Sequence, residues 1–192
     1  MRRRNGSNVI IETRGTDGTI VRDARSHSRR RAEGGARGAL AAGTDPAGGA
    51  PRGEVEIGHG VPPGAITAVL GHAGEVLIRK QVTFDGERPV RLATTYIPAF
   101  VEEAAPRTAD LDTGEGGIVS RMADAGLAQA YVIEDIEQAL ATAEAAEALG
   151  VTAGDPLLAI THIARCEDGR VVEVTRHELG SGWKLRYGVP LD

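Results

Sequence analysis

At 192 residues, 41% apolar but only 3% aromatic, the chain suits one domain with a core of Val, Ile, Leu and Ala plus an appendage. Its single cysteine, Cys166, excludes an internal disulfide framework or a cysteine-built zinc site and suits a reducing cytoplasm, and no apolar run reaches the roughly 18 residues that span a bilayer. Residues 1–37 carry ten arginines against four acids, a charge of +6, while the whole chain carries −5, so a basic arm precedes a body of −11. Such an arm attracts nucleic acid phosphates without regard to sequence, or is simply a solvated tail.

In chain order, "NVIIETRGTDGTIVRD" (8–23) reads as a hairpin with a Gly-containing polar tip. Residues 24–53, rich in Arg, Gly, Ala and Pro, read as a linker. "EVEIGHGVP" (54–62) follows as a strand, and "PPGAITAVLG" (62–71) as a short helix between a proline start and a glycine stop. "EVLIRKQVTF" (75–84) and "RPVRLATTYI" (88–97) flank Asp85-Gly86, a favoured hairpin turn. On the first of these strands, alternation puts Ile78, Lys80, Val82 and Phe84 on one face and Arg79, Gln81 and Thr83 on the other.

"GIVSRMADA" (117–125) reads as a helix started after two glycines. "AYVIEDIEQALA" is extended, and "TAEAAEALG" (142–150) is a helix capped by Thr142 and stopped by Gly150. "PLLAITHIARCEDGRVVEVTRHEL" (156–179) is a second hairpin, turning at Asp168-Gly169, and "WKLRYGVPL" is a closing strand. Hairpins broken by short helices, without long crossover helices, predict an α+β fold with a mainly antiparallel sheet.

Chemistry-bearing groups are sparse. His27, His59, His72, His162 and His177 lack the i, i+4 spacing of a helical metal pair, and no metal or cofactor is expected. Cys166 stands next to acids that raise a thiol pKa, and Ser120 and Ser181 lack a nucleophile-elbow context. "GEGG" (114–117) leads into a helix and offers backbone N–H groups to an anion, or is an ordinary flexible helix start. Glu134, Asp135 and Glu137 read as a solvated strand edge, since no fixed calcium-loop spacing accompanies them.

Taken in order, "VPPGAITAVLG", "VLIRKQVTFDGERPVRLATTYIP", "GGIVSRMADAG", "TAEAAEALGVTAGDPLLAITHIARCEDGRVVEVTRHEL" and "LRYGVPL" resemble the UTRA domain. That domain is the effector-sensing module of the HutC branch of GntR-type transcription regulators. The resemblance implies a chorismate-lyase-like fold over 54–192 that binds a small-molecule effector without transforming it and acts as a homodimer. It also makes 1–23 the remnant wing of a winged helix-turn-helix whose preceding helices are absent, and 24–53 a linker. From that wing Arg14, Thr16, Thr19 and Arg22 would meet DNA phosphates, but without a recognition helix the bases would go unread.

For the effector, the resemblance assigns Lys80, Val82, Ala93, Thr95, Gly116, Gly117, Val119 and Glu178. Where sugar-phosphate-binding members have two arginines before the Asp-Gly turn, this chain has Lys80 and Val82. A pocket glutamate becomes Ala93, and a serine and tyrosine opening the next helix become Gly117 and Val119. One lysine cannot reproduce the arginine fork, so the expected ligand is a carboxylate or a largely neutral metabolite rather than a phosphate. The expected function is a ligand-responsive transcriptional regulator with no membrane contact and no enzymatic activity. The alternatives are a stand-alone binding or heterodimerising protein, and a chorismate-lyase-like enzyme drawing on Lys80, Glu173 and Arg176.

Overall fold

A computed structural model describes residues 53–180 and the backbone of two short strands, Val9–Ile10 (β1) and Arg186–Tyr187 (β8). Contacts divide the chain into two units, one of residues 1–51 and 182–192 and the other of Arg52–Ser181. In the first unit β1 pairs antiparallel with β8, Val9 opposite Tyr187. The rest of the expected wing hairpin and the linker up to residue 52 lie outside the described residues, as do Arg14, Thr16, Thr19 and Arg22.

The second unit is built on six strands: β2 (Gly53–Gly60), β3 (Val76–Asp85), β4 (Arg88–Pro98), β5 (Tyr131–Leu140), β6 (Pro156–Arg165) and β7 (Val171–Leu179). They form one sheet in the order β2-β3-β4-β7-β6-β5. Every neighbouring pair is antiparallel. The sheet is thus the mainly antiparallel one that the hairpin pattern predicts, with β2 and β5 at its edges.

Short helices pack on both faces. On the face of Val76, Ile78 and Tyr96, α1 (Gly64–Leu70) buries Ile66 against Val174 and Ile163. Two left-handed glycines, Gly71 and Gly150, end α1 and α4 (Ala143–Leu149), and the Thr142 hydroxyl accepts from the N–H of Ala145 to cap the latter. Helix α4 lies on the same face as α1 and packs Ala145, Ala146 and Leu149 on Leu92 and Leu157. On the opposite face α2 (Ala99–Ala104) and α3 (Gly117–Asp124) bury Val101 and Met122 against Leu77, Ile97, Ala164 and Val172. A 3₁₀ turn, Pro106–Ala109, connects these two helices. Neither α2 nor that turn was expected from sequence: a six-residue helix starting directly after Pro98 has too few turns for a periodic signal.

Candidate functional site

On the face covered by α2 and α3, the register aligns one residue from each strand in a single transverse row. From β2 to β5 this row reads Ile57, Arg79, Thr95, Thr175, His162 and Glu134. Five of its six members are polar, and Arg79, Thr95, Thr175 and His162 are all buried. The next row toward the β3–β4 turn reads Gln81, Ala93, His177, Ile160 and Ile136. A sheet face beneath helices is normally apolar, so a band of buried polar groups there must be internally paired or await a partner.

Most of the band is paired. Arg79 Nη1 donates to the carbonyls of Thr108 at 2.7 Å and Asp110 at 2.5 Å, so a β3 side chain grips the segment that leads to α3. Burial pushes the Arg79 pKa below its ordinary value, partly offset by Asp110. The Thr175 hydroxyl donates to Glu173 Oε1 at 2.5 Å, and Gln129 Nε2 donates to Glu173 Oε2 at 2.7 Å, which occupies both oxygens of this buried carboxylate. His162 Nδ1 lies 3.1 Å from Glu134 Oε1. One row beyond His177, Arg91 Nη2 donates to Thr83 Oγ1 at 2.9 Å, and burial lowers the Arg91 pKa to about 10.

Two atoms of the band have no hydrogen-bond partner among the described residues: His177 Nδ1 and Gln129 Oε1. Both residues are only 7% exposed. Burial, with help from Arg91 and His162, holds the His177 pKa well below its ordinary value, so this imidazole is neutral near pH 7. The band can therefore exchange hydrogen bonds with a ligand, but it offers no activated nucleophile. Among the described residues no group of three or more metal-ligating side chains converges, and no helix is long and apolar enough to cross a membrane.

The eight residues assigned to the effector do not fall on one face. Ala93 and Thr95 belong to the polar band, opposite Gln81 and Arg79. Lys80, Val82 and Glu178 point the other way, Lys80 opposite Thr94 and Val82 opposite Leu92, with Glu178 also paired to Leu92. The register of β3 against β4 shifts between Thr83 and Phe84, where Val90 of β4 is the extra residue, so counting across the Asp85-Gly86 turn sets Ala93 against Lys80, whereas it pairs with Gln81. Lys80 forms an ion pair with Glu144 of α4 instead. Of the remaining three, Val119 packs with Ile118 against the core on the band's face, while Gly116 and Gly117 both hold positive φ, 80° and 65°, at the start of α3.

The lyase set is divided as well, because Lys80 and Arg176 lie on the α4 face and Glu173 on the other. The acidic trio is less free than a solvated edge, since Glu134 contacts His162 and Glu137 accepts from Arg176 at 2.6 Å. Cys166 is buried with its Sγ 2.9 Å from Asp168 Oδ1, and burial followed by Asp168 raises its pKa. Sequence reasoning overlooked Arg79, Gln81, Gln129, Thr175 and His177 as a set. The available signal was the polar alternation of Arg79, Gln81 and Thr83 on a strand whose opposite face is apolar.

A curated relative, the HTH-type transcriptional regulator Rv0792c of Mycobacterium tuberculosis, is 29% identical over 119 residues, which is 60% of this chain and 43% of the relative. The chain thus matches less than half the length of that relative. A crystal structure described as a transcriptional regulator from Streptomyces coelicolor superposes with a TM-score of 0.62 at 25% identity, covering 74% of this chain and 95% of that one. The ligand-binding domain of a GntR-family regulator from Bordetella bronchiseptica shares the fold, with a TM-score of 0.57 at 19% identity over 74% of this chain and 95% of its own. The family model described as the UTRA domain matches residues 55–178, the six-stranded sheet with its helices almost entire, and the chain belongs to the UTRA domain family.

Proposed function

We propose that the chain is the effector-sensing part of a ligand-responsive transcriptional regulator of the GntR type, HutC branch, working as a cytoplasmic homodimer and without catalytic activity. The observation that carries the reading is the polar band from Arg79 to Glu134, with atoms at Gln129 and His177 that have no hydrogen-bond partner among the described residues. A fold that needed these strands only for stability would fill such a face with apolar side chains, because each unpaired buried polar atom costs about 1–3 kcal/mol. The effector would lie against Gln81, Ala93, Thr95, Thr175 and His177, next to the Gly116–Gly117 start of α3. The domain organisation that accompanies this reading is a wing remnant over 1–23, a linker over 24–53 and the sensor from residue 54.

The regulatory link is the segment from Thr108 to α3. Arg79 grips it from the floor of the band, so a ligand that displaced or tightened that grip would favour one conformation over another, as regulation requires. DNA contact would be made through the N-terminal arm or a longer form of the protein.

The test is fluorescence anisotropy of labelled DNA from the protein's own promoter and of unrelated DNA, at two salt concentrations, with and without cell-derived metabolite pools. Preference for the promoter DNA that a metabolite fraction changes, with that response and not the preference lost in Thr95→Val, supports the reading. Equal, strongly salt-dependent binding to both DNAs, unaffected by every fraction, would leave only an electrostatic arm. Turnover of chorismate would favour the lyase instead.

A further inference from the structure

The hydrogen-bond polarity of the band specifies the chemistry of its ligand. Glu173 is an acceptor on both oxygens, so the Gln129 amide must turn its N–H₂ toward it, and Gln129 Oε1, facing away, is left as an acceptor. Thr175 spends its hydroxyl proton on Glu173; in the 2.9 Å contact between the two threonines Thr95 is therefore the donor, which leaves lone pairs on Thr95 Oγ1. His177 Nδ1, opposite Ala93 and two residues from Thr175 on the same face, is unpartnered among the described residues.

Charge narrows the choice further. On β7 the carboxylate of Glu173 lies on one side of Thr175 and His177, and Arg91, paired with Leu179, lies on the other. An anionic ligand over Thr175 would meet Glu173, and a cationic one over His177 would meet Arg91. Arg79 is committed to the carbonyls of Thr108 and Asp110, and Arg91 donates to Thr83. The Ile160 and Ile136 side chains that continue the His177 row add an apolar floor.

We propose that the ligand of this face is a small uncharged polyol, which gives hydroxyl protons to Gln129 Oε1 and Thr95 Oγ1 and exchanges a hydrogen bond with His177 Nδ1. This inference rests on the effector-site reading above and adds to it the class of ligand and the role of His177 as the residue that selects it. Hydroxyls fit because each both donates and accepts, whereas a phosphate or carboxylate would present only acceptors to Gln129 and Thr95. A site built to hydrogen-bond a hydroxyl rejects an analogue that leaves its buried polar groups unpaired.

The test is calorimetric titration of the full chain with glucose, mannitol and myo-inositol, and with glucose 6-phosphate and gluconate, for the native protein and for Thr95→Val, Gln129→Leu, His177→Leu and His177→Gln. At least one polyol is expected to bind and to raise the thermal midpoint, with its charged counterpart at least ~10-fold weaker. His177→Leu is expected to weaken binding ~10-fold or more while leaving the ligand-free midpoint equal or higher, because it removes an unpaired buried group. His177→Gln, which keeps a polar side chain, should retain part of the affinity.

If none of the three polyols binds, or if a charged compound binds more tightly, the ligand class is wrong. Where that charged compound loses affinity in Thr95→Val, the effector-site reading survives the failure. A ligand of either kind whose affinity none of the four substitutions alters would overturn both. A large drop in the ligand-free midpoint for both His177 variants would assign His177 an internal structural role and overturn its part in recognition.

Discussion

Thr95 donates a hydrogen bond to Thr175 across β4 and β7 at 2.9 Å, and it is the donor because Thr175 has already given its proton to Glu173. The two hydroxyls therefore act as one relay ending on a buried carboxylate, not as two interchangeable contacts. Thr175→Val is expected to cost about 1–3 kcal/mol, since it leaves Glu173 short of a donor and Thr95 without an acceptor. Thr95→Val should cost less, because the Thr175–Glu173 bond survives. Urea denaturation of the two single variants and the double variant checks this, and the double should cost clearly less than the sum of the singles.

The period-2 patterns of β3, β4, β6 and β7 and their turns were legible because each strand alternates and each turn carries its own residues, Asp85-Gly86 and Asp168-Gly169. The face that carries the buried polar band was not. The extra residue on β4, Val90 between Pro89 and Arg91, leaves no mark in composition, yet it inverts which β3 positions share a face with Ala93 and Thr95 when counted across the turn. Lys80 is a cation between the apolar Ile78 and Val82 of its face, while Arg79, the residue before it, enters the buried band. Gln129 was invisible for a different reason: it comes from a connection between α3 and β5, and only the tertiary fold brings it to Glu173, 44 residues away in sequence.

The placement of Lys80 leads to a contrast between adjacent residues. Its ion pair with Glu144 is partly exposed, with side-chain exposures of 35% and 58%, so Lys80→Met should change stability by less than about 1 kcal/mol. It should also leave ligand affinity unchanged. Arg79→Met removes the donors to the carbonyls of Thr108 and Asp110, and about 2–3 kcal/mol of stability should be lost with them. Hydrogen exchange should accelerate in residues 106–116, and Arg79→Lys should restore only part of the protection, since an ammonium lacks the guanidinium fork.

Gly116 is required at the start of α3 for two separable reasons. Its φ of 80° lies in the left-handed region, and an added Cβ would fall 1.8 Å from Ser120 Oγ and 2.8 Å from Ser120 Cβ. Gly126, with φ of 77°, meets nothing within 4 Å. Gly126→Ala should therefore cost only the backbone strain, about 1–2 kcal/mol, and Gly116→Ala distinctly more. In a Ser120→Ala background the Gly116→Ala penalty should shrink but not vanish, because the Cβ contact and the strain remain. Thermal unfolding of the set separates the two contributions.

His177 should give the fold an acid sensitivity above the carboxylate range. Its folded-state pKa lies well below the ordinary 6.5, chiefly through burial and then through Arg91 and His162, so the unfolded chain takes up a proton that the folded chain refuses. Stability then rises with pH wherever the unfolded state binds more protons. It is undiminished above about pH 6.5 and falls as the pH drops below that value, by up to ~1.4 kcal/mol per pH unit, until the folded imidazole is protonated too. His177→Leu removes this dependence while leaving the other histidines in place, so its stability should decline less between pH 6.5 and 5.5 than that of the native protein. Parallel urea titrations across that window measure the difference, and equal slopes for the two proteins would mean that His177 takes up its proton in the folded state as readily as in the unfolded chain.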